Sequence, residues 1–354
     1  MGVRRVTVVG SGIVGMATAL ALRERGVDVV SLEAGEPGGG QSKGPVRIFR
    51  MAHASRPLTE LAKRARDGWT AWEGPVGREL IGDQGAVIVG DRVEPMRRNL
   101  ELAGLAGNVL DPSEVRARAG VAAAPGEAAL LDSAGGNICA GAIMSYLAAA
   151  TEDQRTITRL EIVERRADGL DLLTSDGIWS TDHLVICAAE GTPALARQLG
   201  LDLKATFYRH SRFAFPLRDP ARRPACLIDH GGAEHVYGLV VGSSGRYAVG
   251  LSGDTDYPAD RVSADEASHL SHLRLRAHVA ERMPELEPEP VAELRCTFQR
   301  TPLLAGGDDV GVWALPGATV CFGNNLFKFA PLLGEMLADT ALSGVVPESL
   351  RVPA

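Results

Sequence analysis

Two periods of apolar residues run along the chain, and each change of period marks an element. The opening run Val6-Thr-Val-Val9 lacks polar alternation, as a strand buried on both faces of a parallel sheet does. It breaks into Gly10-Ser-Gly12-Ile-Val-Gly15 and passes into helical spacing over 17–25, with Ala19, Leu20 and Leu22 turned to one side and a stop at Gly26. A second apolar run, 27–32, ends in Glu33. The 34–40 stretch is a glycine-rich loop, and 41–50 is too polar for a core element. Helical spacing returns over 58–72, with Leu61, Ala65 and Trp69 on one face. A strand of a different sheet follows at 84–90, then helices at 96–102 and at 112–118, the latter capped by Asp111 or Ser113.

An alanine-rich helix is predicted over 141–150, strands at 156–164, 170–174 and 178–180, and a second buried strand within 182–191 that ends in small residues. From 205 to 255 apolar runs separated by glycine turns predict antiparallel strands. A helix over 264–283 stops before Pro284, two short strands occupy 310–322, and a closing helix spans 330–342 before Gly344. Nucleotide-type segments therefore recur at the start, middle and end of the chain, with β-rich stretches between them. The fold class predicted is α/β: a Rossmann-like domain (1–83, 140–204 and 300–354) interleaved with an antiparallel-sheet α+β domain (84–139 and 205–299).

The three glycines sharpen this picture. Gly10 allows a tight turn, Gly12 lets backbone N–H groups approach a pyrophosphate, and Gly15 lets the helix pack closely on the strand. Glu33, about 20 residues on, is placed to accept hydrogen bonds from a ribose diol. Strand, glycines, helix and acid all fall where a dinucleotide site needs them.

Composition narrows the partners. With 354 residues, 45% of them hydrophobic, the chain can bury a large core. A net charge of -7 argues against nucleic acid or an anionic membrane as the main partner, and the richest basic stretch, 159–166, is interleaved with Glu161 and Glu164. Five widely spaced cysteines (Cys139, Cys187, Cys226, Cys296 and Cys321) without a CxxC pair suit free thiols in a reducing cytoplasm rather than a disulfide framework or a metal site. The first apolar segment carries the nucleotide fingerprint rather than a signal peptide, and no run reaches the length of a membrane span.

Several further segments point to one family: Ser42-Lys-Gly-Pro-Val-Arg-Ile-Phe-Arg50, Leu184-Val-Ile-Cys-Ala-Ala, Tyr208-Arg209, Leu294-Arg-Cys-Thr297 and Gly323-Asn-Asn-Leu-Phe-Lys-Phe329. Together with the glycine fingerprint, they make the chain resemble the amine-oxidising flavoenzymes grouped with D-amino acid oxidase and glycine oxidase, and most of all the monomeric sarcosine oxidase family. The resemblance implies FAD in a domain of glutathione-reductase type, bound by Gly10, Gly12, Ile13, Val14, Gly15, Glu33, Ala34, Gln41, Ser42, Arg47, Ile162, Ala188, Cys296, Gly323, Asn324 and Lys328. Arg47 falls beside the isoalloxazine ring and Cys296 on the position of covalent attachment, where a thiolate adds to the 8α-methyl carbon. A free cysteine is ordinarily a buried apolar residue, but the flanking motif favours the thioether, and the adjacent Arg295 would favour thiolate.

Arg50 and Lys328 match the positions that hold the substrate carboxylate, and Tyr208, His210, Phe298, Trp313 and Phe327 complete the implied pocket. The first turn of the 330–342 helix would face the flavin pyrimidine carbonyls. Three departures stand out: Lys43 replaces a histidine, Phe298 a tyrosine, and Ala248-Val-Gly-Leu-Ser252 a strand bearing a lysine and a histidine. They disfavour sarcosine itself and favour a larger or cyclic amino acid, with Lys43 the candidate for a substitute charge. The implied reaction is oxidation of a carboxylate-bearing amine to the imine, with O2 as acceptor and the chain a monomer. Two alternatives stand beside it: a dehydrogenase or specialised-metabolite enzyme that reacts slowly with O2, and a non-catalytic flavin-binding protein.

Overall fold

The computed structural model describes residues 5–304 and 310–350. The chain divides into two compact units, Met1–Lys43 with Ile143–Phe207 and Gln299–Ala354, and Gly44–Ala142 with Tyr208–Phe298. Of the expected first domain, residues 1–4, 305–309 and 351–354 lie outside the described residues.

The first unit is built on a six-stranded sheet ordered Val310–Leu315, Ala318–Gly323, His183–Ile186, β1 (Arg5–Val9), β2 (Asp28–Glu33), Arg155–Ile157. All neighbours are parallel except the edge hairpin Val310–Leu315 with Ala318–Gly323. β1 lies inside the sheet, with Val8 opposite Val185 on one side and Ser31 on the other, which explains its unbroken apolar run. One face packs Val6, Val8, Val29 and Val185 against Ala19 and Leu22 of α1 (Ile13–Glu24) and Ala338 of the helix Ala330–Ser343. The other face packs Val9, Leu32, Ile186 and Phe322 against a three-stranded antiparallel sheet spanning Leu160–Thr181 and the helix Thr192–Gln198.

The second unit holds an eight-stranded sheet ordered Ala292–Arg300, Thr206–Pro216, Arg246–Leu251, Val236–Val240, Cys226–His230, Ala86–Gly90, Ala129–Asp132, Asn108–Val109. Side chains alternate across it with period two. Phe213, Phe215, Val249, Leu251 and Val236 turn to the face covered by the helix Ala264–Arg282. The opposite face collects Cys226, Leu239 and Ala248 beneath Val46 and Ile48. On the helix-covered side, Asp229 pairs with Arg282 (3.0 Å), which also pairs with Glu127 (3.1 Å), so each buried charge has a counterion.

The unit boundaries depart from the expected domains chiefly over 44–83, which group with the second unit, as 140–142 also do, while 205–207 and 299 group with the first. The cause is a strand that polarity hid: Arg47–Phe49 pairs antiparallel with Gly136–Ile138 and buries Phe49, so 41–50 does contribute a core element. The adjoining turn is fixed by Asp132, whose buried carboxylate accepts hydrogen bonds from the backbone N–H groups of Met51 and Ala52 (2.9 Å for Ala52). Removing that acceptor strands two N–H groups, so Asp132→Ala is expected to destabilise the protein by about 3 kcal/mol, seen as a lowered denaturation midpoint. An unchanged midpoint would show that water replaces the carboxylate.

Candidate active site

In the first unit the fingerprint residues form a tight cradle. Gly10 has φ 98°, and a Cβ there would lie 2.5 Å from the carbonyl oxygen of Cys187 and 3.0 Å from Cα of Ala188. A Cβ on Gly15 would sit 1.8 Å from the carbonyl oxygen of Gly10, so the approach of helix to turn admits only glycine. Ser42 Oγ accepts the N–H of Ile13 at 3.0 Å, placing it at the first turn of α1, where Val14 and Gly15 are also buried. Helix N-termini of this kind favour anions. Glu33 closes β2, its carboxylate accepting from Ser11 N (2.6 Å) and Gly35 N (2.9 Å), with the exposed Ala34 between them in sequence.

Ser11 Oγ is buried in this cradle without a hydrogen-bond partner. An orphaned hydroxyl beside a helix N-terminus, glycines that admit no side chain and an oriented carboxylate suit the diphosphate and ribose of a dinucleotide. Two glutamines buttress the cradle. Gln41 Nε2 donates to Gln299 Oε1, and Gln299 Nε2 donates to the carbonyl of Gly323, at the end of its strand. Asn324 follows, with its side-chain oxygen accepting Asn325 N at 2.9 Å. Lys328 is buried (6% exposed) beside Phe327, its Nζ 5.4 Å from the ring centroid of Phe329, immediately before the helix Ala330–Ser343.

Three residues of the expected set stand apart from these contacts. Ile162 is exposed and pairs with Leu173 in the three-stranded sheet, which shares no strand pairing with β1 or β2. The residues beside Glu33 are instead Ile157, its register partner, and Thr158, whose N–H donates to the Glu33 carbonyl at 2.8 Å. Trp313 stands on the edge strand, opposite Val320 and packed with the apolar cluster of the first unit. Lys43 is exposed.

In the second unit, on the sheet face away from the helix Ala264–Arg282, the structure gathers Tyr208, His210, Phe298, Cys296 and Arg47. Tyr208 stacks on Phe298 (centroids 5.2 Å apart), and His210 meets Phe298 edge-on at 6.2 Å. Cys296 Sγ lies 3.4 Å from His210 Nδ1. Burial opposes the thiolate of Cys296, yet His210, Arg47 and Arg212 together outweigh it and hold the thiol below its ordinary pKa. Arg47 itself is pulled down to about 10 by burial and by the charge of Arg212.

Arg295, adjacent to Cys296 in sequence, has no part in this. Successive strand residues face opposite sides, so Arg295 points away and pairs with Asp265 (2.5 Å) and Glu293 (2.9 Å). The positive charge beside the sulfur comes from Arg47 and from Arg212, the second of which sequence reading missed. Arg212 is 8% exposed, stands opposite Gly250 across the sheet, and bonds Tyr237. A Cβ on Gly250 would lie 2.7 Å from the Tyr237 hydroxyl, so this glycine makes room for the phenol. The available signal was parity: Arg212 alternates with Phe213 and Phe215 along one strand, so it falls on the face opposite those two rings. Arg50 donates to the carbonyl of Ala52 and lies within electrostatic reach of Asp132 and His230.

Residues 5–340 match the family described as FAD dependent oxidoreductase (DAO), and the chain belongs to it. It is an FAD-dependent oxidoreductase. Over 96% of its length it is 27% identical to a monomeric sarcosine oxidase of Streptomyces avermitilis, covering 94% of that protein. It is also 26% identical to the peroxisomal sarcosine oxidase of Homo sapiens, over 95% of this chain and 91% of that one. The fold is similar to that of NikD, an unusual amino acid oxidase essential for nikkomycin biosynthesis, with a TM-score of 0.84 at 21% identity over 99% of this chain and 98% of that chain. Among the described residues no helix is long and apolar enough to cross a membrane, and no group of three or more His, Cys, Asp or Glu could hold a metal ion.

Proposed function

We propose that the protein oxidises a carboxylate-bearing secondary amine or a cyclic amino or imino acid to the corresponding imine. The observation that carries this reading is similarity to sarcosine oxidases along nearly the whole chain, with the dinucleotide cradle intact. When bound, FAD would supply the acceptor for a hydride from the carbon beside the amine nitrogen, with O2 as the final oxidant and hydrogen peroxide as its product. Arg50 and Lys328 hold the substrate carboxylate, the first through two directed N–H donors and the second as a point charge. Holding the acid fixes the reacting C–H bond toward its acceptor. Tyr208, Phe298 and Phe327 supply apolar and aromatic surface for a substrate bulkier than sarcosine. On this reading the chain works as a monomer in the cytoplasm, its thiols reduced, as five free cysteines suit.

Cys296 would hold the flavin through a thioether, the chain supplying the thiolate sulfur and its electron pair, with one proton leaving the alkylated carbon and O2 taking up the two electrons released. Denatured wild-type protein is therefore expected to keep its flavin on the polypeptide and Cys296→Ser to release it. Complete release from the wild type would remove the linkage.

The test of the main reading is anaerobic mixing of the holoprotein with N-alkyl and cyclic amino acids. Bleaching of the yellow colour by a member of that group, and not by amines lacking a carboxylate, is the expected result. Absence of bleaching by any carboxylate-bearing amine would remove the proposal. A second reading is favoured by Ala248, a buried apolar residue where the resemblance expects a lysine, and by the exposure of Lys43: a dehydrogenase with another acceptor. Slow return of colour on admitting air would select it.

A further inference from the structure

The pair formed by Cys296 and His210 is more than a contact of neighbours. His210 lies on Thr206–Pro216 and Cys296 on the adjacent strand Ala292–Arg300, 86 residues apart in sequence. The imidazole is oriented from its far side: Nε2 lies 3.2 Å from the backbone carbonyl of Leu251, an obligate acceptor, and 3.5 Å from the Tyr237 hydroxyl, which can accept as well as donate, so the shorter contact puts the hydrogen on Nε2. In the neutral ring Nδ1 is then a lone-pair acceptor, and it is this nitrogen that stands 3.4 Å from the sulfur. The ring is held flat by Tyr237, stacked at 5.7 Å, and edge-on by Phe298. Nucleophile, base and a third group that orients the base form the arrangement that activates thiols elsewhere.

We propose that His210 is the base that takes the proton of the Cys296 thiol, a step that rests on the linkage reading above. The S–H bond breaks, the proton passes to Nδ1 and the electron pair stays on Sγ, so no oxidant or reductant is consumed. His210 then donates from both nitrogens, to Leu251 and to the thiolate. The titratable and charged groups facing this pair are Arg212 from the same strand as His210, Tyr237 from Val236–Val240, Arg47 from Arg47–Phe49, and Tyr208 over Phe298. The two guanidinium groups stabilise the anion at close range. Burial pushes the Tyr237 phenol up to about 12, which keeps it neutral and leaves His210 as the proton acceptor. The order of charges also explains why Arg295 is dispensable here, since its partners are Asp265 and Glu293 on the far face.

The experiment uses the full chain prepared without flavin, in wild-type form and as His210→Gln, His210→Ala and Cys296→Ser. Iodoacetamide labelling of Cys296, read by peptide mass across pH, reports the thiolate in the absence of any turnover. In the wild type the labelling rate is expected to rise with pH and level off below the range of an ordinary thiol. In both His210 variants the rise moves up by about one pH unit or more, so labelling near pH 6 falls roughly tenfold. FAD is then added and the fraction surviving denaturation is followed: His210→Gln attaches slowly at neutral pH and recovers at alkaline pH, where the thiol ionises without help. Identical pH profiles for wild type and either variant would overturn the proposal, as would an ordinary thiol profile in the wild type, a result that does not depend on any variant folding. Flavin retained on Cys296→Ser would instead sink the linkage reading, while the labelling profile still decides the proton transfer.

Discussion

An Arg50→Met variant is expected to bind FAD like the wild type and to lose about two to three orders of magnitude in kcat/KM toward carboxylate-bearing amines, equivalent to roughly 3–4 kcal/mol. Methionine keeps the apolar stem and removes only the charged fork. Arg50→Met gives up the guanidinium bond to the Ala52 carbonyl, but the turn keeps its anchor through the backbone N–H groups of Met51 and Ala52 on Asp132. The loss should therefore be specific: amines without an acid group change little, and the flavin content of the purified protein is unaltered. Equal catalytic efficiency toward carboxylate substrates would take Arg50 out of the site. A loss of flavin would mean that the segment, rather than its charge, had been disturbed.

Gly15→Ala tests the other half of the molecule and is expected to abolish retention of FAD. The added carbon meets the Gly10 carbonyl oxygen at 1.8 Å, a backbone atom that cannot turn aside. α1 must withdraw from β1, and overpacking of this kind costs about 1–3 kcal/mol in stability. The damage to binding exceeds the damage to folding, because the displaced turn is the one whose N–H groups meet the diphosphate. Colourless protein with a modestly lowered melting temperature is the result to look for. Yellow protein with normal flavin content would show that the cradle is looser than its geometry indicates.

The contrast between these two sites explains what the chain disclosed. The cradle is local: Gly10, Gly12, Gly15 and Glu33 lie within one strand, helix and strand, and each answers a steric or hydrogen-bonding need readable from spacing alone. Its neighbours Cys187, Ala188 and Gln299 come from distant strands, and of these only Ala188 had a signal, a small residue closing a buried run. The cluster around Cys296 is assembled sideways, across the sheet order that places Ala292–Arg300, Thr206–Pro216, Arg246–Leu251 and Val236–Val240 together. Adjacency in sequence pointed to Arg295, whereas strand parity turns that side chain away and brings Arg212 and His210 in. The Arg47–Phe49 strand escaped notice because three residues with a charge at one end carry too little pattern, and its partner Gly136–Ile138 is equally short. Ile162 shows the opposite case, an apolar residue in a plausible strand that the structure places in another sheet.

The sheet of the first unit interleaves strands from both ends of the chain: β1 sits beside His183–Ile186, which sits beside Ala318–Gly323. Closing such distant pairings is entropically slow, and on the ribosome the last of them cannot form until its strand has been made. Capture of the coenzyme thereby waits for the strand Ala318–Gly323, and a chain released before Gly323 would expose an unfinished sheet edge in place of a nucleotide pocket.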